Sequence, residues 1–184
     1  MHHYIAFLRG INLGYRRLKM DKLRALFEEM KFADVATFIA SGNVIFSSKV
    51  TDSRKLEQSI QDHLKKSLGY GVDTFVRTRA EVAAVAAFRP FTKHDWGNPA
   101  NTGYAGFMQE MLSADQTRGF LACRTEVDEL YVAAREFYWL CRIKSHASKV
   151  WTSPAMKAVN LPTSSMRNLT TVRKLAALYP PPAG

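Results

Sequence analysis

The chain has 184 residues, with 26 Lys and Arg against 16 Asp and Glu, a formal excess of +10. That length fits one domain or two closely packed halves, and a chain of this size buries roughly 70% of its unfolded surface, so its core needs no disulfide or metal staple. Cys123 and Cys141 stand alone on apolar segments without CxxC or Cys/His ligand spacing, which excludes a structural zinc site and fits two buried thiols in a reducing cytoplasm.

No apolar run approaches the roughly 18 residues of a membrane span, and residues 1–9 lack the basic and apolar regions of a secretion signal. A cytoplasmic protein with no membrane association, no metal and no cofactor is therefore expected. Nothing in the sequence specifies an oligomeric state.

In chain order, residues 4–8 read as a short apolar strand ending at Arg9-Gly10. Met20, Leu23, Leu26, Phe27 and Met30 recur at helical spacing, predicting a helix from about 20 to 31. Residues 32–40 read as a strand. Ser41-Gly42 supplies the turn chemistry of a hairpin, because glycine accepts positive φ without steric cost, and Val44-Ile45-Phe46 return. Thr51, Asp52 or Ser53 can cap a second helix with a Leu56, Ile60, Leu64, Leu68 stripe, ended near Gly69 and Gly71. Residues 72–76 form the fourth strand. The order β-α-β-β-α-β within residues 1–78 is that of a ferredoxin-like α+β fold, with two helices on one face of a four-stranded antiparallel sheet.

Residues 79–184 read as a second, looser α+β half. Thr78-Arg79-Ala80-Glu81 is a capping box opening a helix that Arg89-Pro90 must stop. Residues 91–101 read as loop and 103–108 as a strand, and Ser113-Ala114-Asp115-Gln116 caps a short helix. Leu130 to Ala133 and Phe137 to Leu140 form a hairpin around Arg135-Glu136, residues 144–166 are ambiguous, and Leu169, Val172, Leu175 and Leu178 mark a last helix before Pro180.

Three polar signatures interrupt this apolar pattern: Arg9-Gly10-Ile11-Asn12-Leu13-Gly14, Ser41-Gly42-Asn43 and Arg167-Asn168. Arg9, Gly10, Asn12, Gly14, Ser41, Asn43, Arg167 and Asn168 are therefore the candidate ligand-binding residues, converging on one polar site. Asn168 reads equally as the N-cap of the last helix. Arg167 beside it opposes the helix dipole, a conflict that a bound anion relieves.

Charge gives the second signal. Residues 137–184 carry seven basic side chains and no carboxylate, and Arg16, Arg17 and Lys19 cluster after the first glycine loop. Single-sign stretches attract polyanions and phosphorylated ligands, so Arg16, Arg17, Lys19, Lys144, Lys149, Arg173 and Lys174 are candidate phosphate contacts.

The three signatures, with Met20, Leu23, Val44-Ile45-Phe46, Thr171-Val172 and Lys174-Leu175, resemble the domain of unknown function 1697 family. The resemblance implies an α+β fold with ferredoxin-like halves and no established activity. Tyr15 stands where that family has a second glycine, and Leu169 where it has a tryptophan.

Catalytic patterns are sparse. His63 lies beside a helical apolar stripe, His94-Asp95 is the one base-and-orienter pair in view, and His146 sits in the basic segment. No GxSxG, HExxH, GxGxxG or GxxxxGK[ST] occurs. Tyr131, Phe137, Tyr138 and Trp139 concentrate in one hairpin, where packing competes with base stacking, and the aromatic strand of an RNA-recognition motif is missing. The reading is a binder of a phosphate-rich or anionic ligand with nucleic acid as the favoured partner. The alternatives are an enzyme acting on a small anionic metabolite and a protein-interaction domain.

Overall fold

The computed structural model describes residues 1–12, 14, 17–40 and 42–182. They form an α+β protein with two four-stranded antiparallel sheets, and the chain divides into two compact units. One unit comprises Met1–Ala84 with Leu175–Gly184, and the other Val85–Lys174.

The first unit runs β1 (His2–Arg9), α1 (Met20–Glu29), β2 (Ala33–Phe38), β3 (Asn43–Ser48), α2 (Ser53–Leu68), β4 (Asp73–Thr78) and the start of α3 (Arg79–Ala87). Its sheet order is β2-β3-β1-β4, so β3 sits between the two strands that α1 connects. Asp52 caps α2 by accepting from the Arg54 and Lys55 amides, and Gly69 ends it at φ 78°. Such a cap is worth about 1 kcal/mol. Leu56, Ile60 and Leu64 join Leu23, Leu26 and Phe27 in one core against Tyr4, Ala6, Leu8, Val44 and Phe46. Each such apolar side chain removed from water contributes about 1.5–3 kcal/mol before entropic costs. Strand alternation turns Ile5, Phe7, Ile45 and Phe75 to the other face, where they are equally buried.

The second unit holds α4 (Lys93–Gly97), β5 (Thr102–Met108), α5 (Ala114–Ala122), β6 (Asp128–Ala133), β7 (Glu136–Cys141), α6 (Pro154–Ala158), β8 (Ser164–Asn168) and the first turns of α7 (Leu169–Leu178). Its sheet order, β6-β7-β5-β8, repeats that of the first unit. Registers repeat too. Tyr4 lies between Phe46 and Thr78, and Tyr104 between Trp139 and Asn168. Both tyrosines stack on their neighbours, with ring centroids 5.6 Å and 4.7 Å apart.

The ambiguous stretch 144–166 resolves into two single 3-10 turns, Ser145–Ala147 and Val150–Thr152, then α6 and the start of β8. These short pieces stand where the first unit has the sixteen-residue α2. They are anchored through buried Asp128, which accepts hydrogen bonds from Trp139 Nε1 (2.8 Å) and Ser148 Oγ (2.7 Å). The stretch 91–101, expected to be loop, contains α4. Thr92 caps it, accepting from the Asp95 amide at 3.1 Å.

Candidate functional site

The first two polar signatures adjoin within the first unit. Gly10, Gly14 and Gly42 all take positive φ. The Leu8 amide donates to the Gly42 carbonyl at 2.8 Å, and a Cβ on Gly42 would fall 2.9 Å from Ile11 Cγ2. The Asn12 amide bridges the two loops: Nδ2 donates to the Leu18 and Ala40 carbonyls, and Oδ1 accepts from the Leu18 amide at 2.7 Å. Buried Asn43 donates to the Phe38 carbonyl at 2.9 Å, closing the hairpin turn. These carboxamides are engaged by the chain's own backbone, which accounts for both of them structurally.

Arg9 is half exposed and pairs across the β1–β4 edge with Asp73 at 3.5 Å. Exposed pairs of this kind contribute about 0–1 kcal/mol. Arg17 is exposed and donates to the Gly14 carbonyl at 2.8 Å, and Lys19 is exposed just before α1. Ser41 and Arg16, like Tyr15, lie outside the described residues.

The third signature belongs to the second unit. Arg167 is 9% exposed rather than presented at the surface. Its Nη1 donates to Ser165 Oγ at 2.8 Å and to the Met166 carbonyl at 3.0 Å. Burial pushes its guanidinium down to about 10. Asn168 caps α7, its Oδ1 accepting from the Thr170 amide at 2.8 Å.

Beside that cap lies a polar cleft of about 260 Å³, with Trp96, Gly103, Asn168, Thr170 and Arg173 on its walls. Arg173 reaches it from the second turn of α7. Its guanidinium centre lies 5.1 Å from the Trp96 ring centroid, and that of Arg89 lies 5.4 Å from the same ring. Two cations on one indole repel one another. Burial first, and Arg89 second, push the Arg173 guanidinium down from its ordinary value. Arg173 Nε and Nη2 and Trp96 Nε1 are closed to solvent and meet no acceptor among the described residues. Asp95, also on the cleft wall, is already held by Arg142 Nε at 2.9 Å and Nη2 at 3.2 Å. A Cβ on Gly103 would fall 2.9 Å from Leu169 Cδ1 and 3.1 Å from Trp96 Cζ3, so the indole packs closely on the β5 backbone here and a side chain would push both neighbours back.

Of the other candidates, Lys144, Lys149, Lys174 and His146 are exposed on the second unit. His94 is exposed as well, and the partner of Asp95 is Arg142, so the two neighbours do not form a base and orienter. His63 meets Glu29 at 3.3 Å between α2 and α1. Phe137, Tyr138 and Trp139 are buried at 1–3% exposure, which leaves Tyr131 as the accessible ring of that hairpin. No cluster of three metal-ligating side chains occurs among the described residues, and no described helix is long and apolar enough to cross a membrane.

Sequence reasoning named Asn168 and Arg173 but missed Trp96 and Arg89. The available signal was Thr92-Lys93-His94-Asp95, a helix-capping pattern that lifts Trp96 out of a featureless loop.

The duplicated sheets define an α+β protein of two similar units, and comparison places it. A family model described as a protein of unknown function, DUF1697, matches residues 1–138, and the chain belongs to that family. Arg167-Asn168 and all of the cleft's α7 wall lie beyond the matched stretch. Among solved structures, a conserved bacterial protein of Streptococcus pneumoniae, SP0830, is similar at TM-score 0.73 and 20% identity, over 97% of this chain and 98% of that one. At that identity the likeness shows the fold. Among curated proteins there is no match.

Proposed function

We propose that this protein binds an anionic ligand in the cleft at the start of α7. The observation that supports this reading is Arg173 on the cleft wall, a cation that meets no carboxylate among the described residues and shares the Trp96 ring with Arg89. Burial disfavours a guanidinium that has no counter-charge, and an anion in the cleft supplies one. Arg89 on the same indole adds positive potential that the anion also relieves. Binding is favoured over catalysis because the cleft's carboxylate, Asp95, is committed to Arg142.

A second reading keeps nucleic acid as the partner. Exposed Lys144, Lys149 and Lys174 on the second unit, with Arg17 and Lys19 on the first, supply phosphate contacts for it. Arg167 acts from within the second unit by supporting the β8 end that leads into Asn168. A cytoplasmic place of work accords with two free, buried cysteines.

The test is a thermal-shift screen with phosphate, nucleotides, phosphosugars and short oligonucleotides on the wild type and Arg173→Ala. Saturation near 100 times Kd stabilises by about 2.7 kcal/mol, worth roughly 5–10 °C for a chain of this size. A rise lost in Arg173→Ala supports the proposal. No rise with any anion, or an equal rise in the variant, overturns it.

A further inference from the structure

We infer that the second unit holds a separate site for a small amphipathic acid, an apolar tail ending in one carboxylate, in a recess beside the two 3-10 turns. The recess shares no wall residue with the α7 cleft and does not depend on it. It measures about 320 Å³, inside the roughly 300–1,000 Å³ of sites that enclose small molecules.

The recess exists where a helix is missing. In the first unit α2 lays Leu56, Ile60 and Leu64 over the sheet in one continuous stripe. In the second, Ser145–Ala147 and Val150–Thr152 stand in its place, and turns of three residues bring few side chains to the sheet. Val150 from the later turn and Met156 from α6 reach the core, together with Cys123 at the end of α5. Cys123 and Val150 also form part of the recess wall, so the apolar core continues into it.

The wall sets the tail. Cys123, Val127, Ile143, Ala147 and Val150 offer apolar surface. Burial pushes the Cys123 thiol up from its ordinary value, and it donates to the Gly119 carbonyl at 3.2 Å, so it is a neutral, polarisable wall group. The hydroxyls on the wall are occupied in both directions. Thr125 and Ser148 donate to Asp128, and Ser153 donates to the Val150 carbonyl. In turn they accept from the amides of Val127, Val150 and Met156. A polar body gains nothing from such a wall, whereas an apolar one leaves water.

Lys149 sets the head group. It lies on the wall, is exposed, and its ammonium meets no carboxylate among the described residues. Lys144 and His146, on the same stretch, are exposed as well. The carboxylate of the wall, Asp128, is buried and already accepts from Trp139, Ser148 and Thr125. An incoming acid therefore finds an open cation at Lys149 and a sealed anion at Asp128.

The experiment titrates the full chain by calorimetry with butyrate, hexanoate and octanoate, and with 1-octanol and octylamine as uncharged and cationic counterparts. The proteins are the wild type, Ala147→Phe and Lys149→Gln. Both substitutions replace exposed residues, and circular dichroism checks that each variant folds. Octanoate should bind saturably, with affinity rising about fourfold per added methylene along the series until the recess is full. Ala147→Phe should weaken octanoate roughly tenfold or more, the loss of two or more buried methylenes. Lys149→Gln should remove the preference for octanoate over 1-octanol, about two- to fivefold for one exposed charge pair.

No saturable binding of any of the three acids overturns the inference. So does octanoate affinity unchanged in Ala147→Phe, or an acid preference that survives in Lys149→Gln. Octylamine bound more tightly than octanoate overturns it too, since Asp128 rather than Lys149 would then select the ligand.

Discussion

Arg77 and Arg167 hold the same position in the two sheets. Arg77 on β4 faces Ile5 of β1, and Arg167 on β8 faces Ala105 of β5. Both are buried, and each donates from Nη1 to the carbonyl of the residue before it, at 2.9 Å and 3.0 Å. Their other partners differ. Arg77 meets Glu57 of α2 at 3.6 Å, and Arg167 meets Ser165 Oγ at 2.8 Å. The duplicated framework thus serves a sealed ion pair in one unit and leads to the capped start of α7 in the other.

Glu57→Ala should therefore be among the most damaging single changes in the first unit. It removes the partner of a buried guanidinium and the acceptor of the Val76 amide. The expected loss is about 3–5 kcal/mol, measured by urea unfolding of the whole chain. A loss below about 1 kcal/mol would show that the pair contributes little, as exposed pairs do.

Gly42→Ala and Gly14→Ala separate crowding from backbone strain. Gly14 sits at φ 60° with open space around it, whereas Gly42, at φ 76°, lies against Leu8 and Ile11. Placing a side chain at either costs about 1–2 kcal/mol in backbone strain. The Gly42 variant should lose roughly 1–3 kcal/mol more, because its Cβ forces packed atoms to shift. Equal losses in denaturant titrations would contradict the close approach.

Acid stability should report on Asp95. Hydrogen bonding from Arg142, working against burial and helped by Thr92, holds its carboxyl below the ordinary value. A folded-state value below the unfolded one means stability that is present above about pH 4 and is lost as pH falls through the lower folded value. Arg142→Met should lower stability at pH 7 by roughly 2–3 kcal/mol and flatten that acid limb. Unfolding midpoints between pH 6 and pH 2 check it, and an unchanged limb would mean the two groups are not coupled.

The elements were legible where periodicity was strong. Leu56, Ile60 and Leu64 announce α2, Thr78 with Glu81 and Ser113 with Gln116 announce two capped helices, and Gly42 announces the first hairpin. β8 was not, because Ser164–Asn168 carries one apolar side chain in five and its buried positions, Ser165 and Arg167, are polar. The Arg167-Asn168 signature likewise set Arg167 among the ligand contacts without revealing its burial. The cleft escaped for another reason. Trp96 and Arg173 are far apart in the chain, and a cation resting on an indole leaves no mark in local spacing. Asn12 and Asn43 looked like ligand-binding amides since a carboxamide that closes a loop has the same sequence signature as one that faces a ligand.

Asn168→Ala tests how far the α7 cap supports the site. Loss of the Thr170 hydrogen bond should cost about 1 kcal/mol in stability. It should also weaken phosphate in titration calorimetry, since the first turn forms part of the cleft wall. Unaltered affinity with the stability loss present would confine Asn168 to a structural role.

The most direct measurement is calorimetric titration of phosphate into the wild type and into Arg173→Ala at matched ionic strength. Saturable binding to the wild type that vanishes in the variant, with the folded state intact by circular dichroism, is the expected result. Equal heats in both proteins would mean that Arg173 is no anion ligand and that its buried nitrogens have another explanation.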